Sequence, residues 1–70
     1  MEMQPVSSSN LAAVGYDYDS AILRIEFIKS GLYDYYGVSA EVYESLMNAS
    51  SKGTYFDQYI KKGGYPYSKV

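Results

Sequence analysis

Apolar residues recur at every second position in the first half of the chain, and the spacing changes to that of a helical face in the second. Leu23, Ile25 and Phe27 point one way while Arg24 and Glu26 point the other, the period of two of a half-buried strand spanning Ala21 to Ile28. Leu11 to Tyr16 reads as a shorter strand before it, and Leu32 to Tyr36 as a third strand after the Lys29-Ser30-Gly31 turn. Asp17-Tyr18-Asp19-Ser20 forms the first turn, because Asp and Ser side chains accept hydrogen bonds from nearby backbone amides. Beyond Ser39, an N-cap, Val42, Tyr43, Leu46 and Met47 share one side of a helix starting at Ala40. Tyr55, Phe56, Tyr59 and Ile60 make a second such stripe, with Ser50 or Ser51 as cap and Lys61-Lys62 before Gly63-Gly64 as its end. Pro66 keeps the tail, Tyr65 to Val70, extended. The pattern predicts an α+β fold: a three-stranded antiparallel meander followed by two α-helices packed on one face, β-β-β-α-α, with an extended C-terminal tail.

Composition narrows what such a fold can do. Seventy residues make a single domain, 1–70, near the lower limit for a core that folds unaided. There is no cysteine and no histidine, so thiolate and imidazole chemistry are both missing. Asp17 and Asp19 fall far short of a calcium loop, and no nucleotide-binding or nucleophile-elbow motif occurs. The reading is a binding protein and not an enzyme, with no cofactor and no metal. No apolar run is long enough to span a bilayer and the first residues lack the regions of a signal peptide, so a cytoplasmic location and no membrane partner are expected.

Charge and tyrosine content change the picture further. The net charge is −2, yet the balance is −5 up to Ala49 and +3 from Ser50 onward, where Lys52, Lys61, Lys62 and Lys69 face only Asp57. Ten residues are tyrosine, a side chain with an apolar body and a polar tip that serves both cores and binding surfaces.

The order of short motifs resembles the KTSC domain, a small bacterial and phage domain that also occurs at the C-terminus of some lysyl-tRNA synthetases. The matching pieces are Ser8-Ser9-Asn10-Leu11, Val14-Gly15-Tyr16, Leu23 to Phe27, Gly31 and the central Tyr33-Asp34-Tyr35. Ala49 to Gly53, Tyr55-Phe56, Ile60 and Tyr65-Pro66 complete them. Ser39 stands where many relatives carry proline, and serine keeps a helix cap there. The synthetase setting implies RNA binding by association alone.

The candidate binding residues follow from these readings. Ser51, Lys52 and Gly53 combine free amides, a hydroxyl and a cation suited to an anion, against the plainer reading of a helix cap. Tyr33 and Tyr35 share one side of a strand; Asp34 opposite favours their being core, which leaves Tyr36 as the exposed ring. Tyr65 and Tyr67 flank a proline beside Lys61 and Lys62, and either clamp a ligand or pin the tail. RNA or a nucleotide is the expected partner. The alternative is a protein-interaction module, such as a phage-encoded inhibitor or decoy, in which Asp17, Asp19, Glu41 and Glu44 meet a basic protein partner and tyrosines serve as anchors. A homodimer through the tyrosine face is the third reading.

Overall fold

A computed structural model, which describes residues 1–70, forms one antiparallel sheet of five strands. These are β1 (Met3–Pro5), β2 (Leu11–Asp17), β3 (Ile22–Phe27), β4 (Gly31–Tyr36) and β5 (Tyr67–Lys69), lying side by side in chain order. Between β4 and β5 come α1 (Ala40–Asn48) and α2 (Lys52–Tyr55), and α2 runs on into a π-helical segment, Phe56–Lys61. The class is the expected α+β, but the strand count of three is corrected to five. No helix is long and apolar enough to cross a membrane.

Both extra strands lie at the sheet edges, and their sequences hide them. β1 contains Pro5, which lacks a donor and is tolerated on an edge strand; Met3 pairs with Gly15 and Pro5 with Ala13. The tail is extended as predicted, and it also pairs. Tyr35 lies opposite Tyr67 and Tyr33 opposite Lys69. The amide of Tyr36 donates to the Pro66 carbonyl at 2.9 Å, and the amide of Val70 donates to the Leu32 carbonyl at 2.9 Å.

The central meander follows the alternation, with two local departures. Ala21, expected to open β3, has φ of +56° and belongs to the turn. In β2 the register shifts between Leu11 and Ala13, a bulge that turns Leu11 and Val14 to the same face despite their odd spacing. Turn and caps are as expected: the Asp19 amide donates to Asp17 Oδ1 at 3.0 Å, and the Val42 amide to Ser39 Oγ at 3.3 Å.

One sheet face carries the core. Val14, Leu23 and Ile25 meet Leu46, Phe56 and Ile60 from the helical layer, with Leu11 and Val38 closing the ends. Tyr59, placed by spacing on the apolar stripe, is instead 57% exposed. Its ring lies against that of Tyr55, centroids 4.7 Å apart, at the edge of the stripe, while Phe56 and Ile60 of the π-helical segment take the buried positions. The opposite sheet face has no covering layer. Its centre holds a two-pronged ion pair, Arg24 Nε to Asp34 Oδ1 at 2.7 Å and Nη2 to Oδ2 at 2.9 Å.

Candidate nucleic-acid interface

The helical layer covers the sheet unevenly, and this creates a site. α1 packs over the β2 side, where Tyr43 stacks on Tyr16 with centroids 4.8 Å apart. The π-helical segment puts Phe56 at the centre, edge-on to Phe27 at 5.3 Å and to Tyr35 at 5.4 Å. Beyond Phe56, toward β5, nothing covers the sheet. A cleft of about 710 Å³ remains, walled by Phe27, Tyr33, Tyr35, Phe56 and Tyr67.

Strand register assembles that aromatic wall. Tyr33 and Tyr35 share a face because they are two residues apart, and β5 adds Tyr67 opposite Tyr35. The Tyr35 and Tyr67 rings stack at 5.3 Å. Tyr35 is buried and forms the floor, whereas Tyr67 is 62% exposed. The question of core or surface thus divides: Tyr35 is core, and half-buried Tyr33 serves both core and cleft. Burial is the main cause holding the Tyr35 phenol above its ordinary pKa, helped by its neighbours Tyr67 and Tyr33.

A second hollow of about 510 Å³ adjoins the cleft and has no hydrophobic lining. Its walls are the loop Ser7 to Asn10 and the start of α2, Ser50 to Thr54, with Gln58 and Lys62. Ser9, Asn10 and Asp57 line both spaces, so the two form one trough. Gly53, in α2, sits close against the Ser8–Asn10 loop: a Cβ there would lie 2.5 Å from Asn10 Oδ1, forcing that side chain to shift, and a tight 3.1 Å from Ser8 Oγ.

The residues singled out from the chain divide between this trough and other places. Tyr33, Tyr35, Tyr67 and Lys61 line the cleft; Ser51, Lys52, Gly53 and Lys62 line the polar hollow. Ser51 is already engaged as a cap, accepting from the Thr54 amide at 3.4 Å and donating to Thr54 Oγ1 at 2.9 Å. Lys52 Nζ donates to the Ala49 carbonyl at 3.2 Å. Tyr36 lies outside the trough, on the other sheet face, with its hydroxyl bonded to Ser68 Oγ. Tyr65 packs against the core and beside Gly63, so it pins the tail and does not line the trough.

Sequence spacing missed Phe27 and Phe56, which read as ordinary core, and Asn10, Lys29 and Asp57, which read as solvated loop and helix positions.

A family model, the KTSC domain, matches residues 7–65. The chain belongs to the KTSC domain family. This KTSC domain is 37% identical over 70 residues to an uncharacterised protein of Stutzerimonas stutzeri, covering 100% of this chain and 99% of that one. It is also 37% identical over 62 residues to a lysine–tRNA ligase of Nostoc sp., covering 89% of this chain but only 11% of the enzyme. The crystal structure of a KTSC domain protein from Yersinia pestis superposes with a TM-score of 0.94 at 42% identity, covering 99% of this chain and 96% of that one.

Proposed function

We propose that this KTSC domain is a non-enzymatic binding module for single-stranded RNA or a nucleotide, held in the aromatic trough. The observation that carries the reading is the distribution of charge. Lys29, Lys52, Lys61 and Lys62 line the trough, and Lys69 Nζ lies 6.0 Å from the Tyr33 ring centroid. Those are all the lysines of the chain, whereas only Asp57 of its eight carboxylates lines the trough. The trough region thus carries +4 and the rest of the molecule −6. A ligand with planar rings and several negative charges fits that combination: bases stack on aromatic faces and phosphates meet ammonium groups. An unpaired strand suits it better than a duplex, whose base faces are hidden. That one relative is a segment of a lysine–tRNA ligase, an enzyme named for an RNA, supports the same reading.

The test is a titration of the isotopically labelled protein with a hexanucleotide RNA. Amide shifts should move at Asn10, Lys29, Tyr33, Lys61 and Tyr67. With three or four lysine–phosphate contacts, raising salt from about 50 to about 200 mM should weaken binding about 20- to 50-fold. The double substitution Lys61→Glu, Lys62→Glu should remove binding. Shifts that avoid the trough, or affinity indifferent to salt, would refute the proposal.

The protein-partner reading keeps one observation of its own. Tyr18 is 63% exposed and is held edge-on to Tyr16 at 4.8 Å and to Tyr43 at 6.0 Å, among Asp17, Asp19 and Glu44. If that reading is right, a host protein retained after nuclease treatment should be lost with Tyr18→Ala.

A further inference from the structure

Asp57 is the one acid of the trough, where every other charged side chain is a lysine, and its position is specific. It lines both the aromatic cleft and the polar hollow, which share only Ser9 and Asn10 besides. Its carboxylate reaches two ammonium groups at once: Oδ1 is 3.8 Å from Lys61 Nζ, and Oδ2 is 3.6 Å from Lys62 Nζ. Lys61 is four residues on, within the π-helical segment, and Lys62, its C-cap, is five, so both ammonium groups come within reach of the carboxylate. Both lysine side chains remain about two-thirds exposed, at 67% and 69%, so the contacts are loose and exchangeable.

We infer that Asp57 is a built-in counter-ion that occupies the phosphate position of the free protein and sets how tightly the trough binds anions. This rests on the nucleic-acid reading of the trough and deepens it. A phosphate approaching Lys61 and Lys62 meets a carboxylate already satisfying them. It must either displace that group or bind beside it against repulsion. Lysine is suited to such an exchange, because its ammonium is a point charge on a flexible stem with no fixed fork geometry. Asp57 thus holds affinity down in an acidic protein whose trough would otherwise retain any polyanion. Ligands whose bases also stack on Tyr33 and Tyr67 gain what a bare polyphosphate lacks, so the carboxylate favours aromatic nucleic acid over simple anions.

The deciding experiment compares the full chain with Asp57→Asn, an isosteric change that removes the charge. The probes are the hexanucleotide RNA and inorganic tripolyphosphate. Glu44→Gln alters net charge equally but lies on α1, outside the trough. Asp57→Asn should tighten the RNA complex about three- to tenfold and tripolyphosphate by a larger factor, while Glu44→Gln changes either by less than about twofold. Its salt slope should steepen by about 0.7 to 1.4, that of one or two further phosphate contacts. In a Lys61→Gln, Lys62→Gln background, Asp57→Asn should change affinity by less than about twofold. Unchanged or weaker RNA binding by a folded Asp57→Asn protein would overturn the counter-ion role and leave the trough standing. If no variant binds RNA, the nucleic-acid reading falls as well; tightening equal to that of Glu44→Gln would reduce the effect to net charge and overturn the inference.

Discussion

Removing the Tyr67 ring tests the aromatic wall while leaving every buried side chain in place. Tyr67 sits on the edge strand, 62% exposed, with its ring against Tyr35 at 5.3 Å and Tyr33 at 6.2 Å. Its contribution to folding is that of a cross-strand aromatic pair, about 0.5–1.5 kcal/mol, so Tyr67→Ala should lower Tm by roughly 2–12 °C and leave a folded protein. A stacked base is worth about 1–3 kcal/mol, so the same change should raise the Kd for a hexanucleotide about 5- to 150-fold. Tyr67→Phe keeps the ring and should hold affinity within about twofold. The matched control is Tyr36→Ala. That ring is also surface-exposed, on the neighbouring strand, but it lies on the opposite sheet face with its hydroxyl on Ser68. Its loss should cost comparable stability and leave binding within about twofold. Fluorescence anisotropy with labelled RNA, well below the lowest Tm of the set, reads all three. Equal losses for Tyr36→Ala and Tyr67→Ala, or none for Tyr67→Ala, would refute the assignment of the cleft as the stacking surface.

Two further outcomes follow from groups away from the trough. Asp34→Ala leaves the Arg24 guanidinium, with its side chain only 30% exposed, facing an empty position; partial solvation limits the cost to about 1–2 kcal/mol, seen as a lower midpoint in urea. An Arg24→Met, Asp34→Leu pair should recover most of that loss, and a pair as unstable as the single variant would argue against it. Alkaline denaturation should set in as pH rises past about 10: burial, their main cause, raises the pKa values of Tyr16, Tyr35 and Tyr43 above 10.0 in the folded state only. The unfolded chain then loses those protons first, so stability is intact below the ordinary tyrosine pKa and declines through the raised values; a Tm flat to pH 11.5 would contradict it.

What could be read from the chain was whatever one face or one cap determines. Leu23, Ile25 and Phe27 alternate with Arg24 and Glu26, and Ser39 precedes a helical stripe, so β3 and α1 were legible from neighbours in sequence alone. β1 and β5 were not, because three-residue edge strands have no pattern of their own. They exist because β2 and β4 offer unpaired backbone, a property of the partner strands. The π-helical turn was hidden for the same reason: Tyr59 fits an α-helical stripe, and only packing of Phe56 and Ile60 decides otherwise. Gly53 shows the limit for the site. Its neighbours in sequence suggested an anion site or a helix cap, but its close approach is to Asn10 and Ser8, more than forty positions away.

The same nonlocality determines which parts of the trough can vary independently of the fold. Tyr35 and Phe56 belong both to the core cluster and to the cleft wall, so changing them alters stability and ligand shape together. Lys61 and Lys62 are exposed and hold little of the fold, so they can change affinity alone, while Tyr67 carries a modest share of stability through its stacking on Tyr35. A domain of seventy residues has little stability to spare. On the proposed nucleic-acid reading, retuning for a different strand or nucleotide therefore falls to the rim, where Asp57 and the lysines oppose one another. Under that proposal, selection among ligands acts on charge before it acts on the aromatic floor.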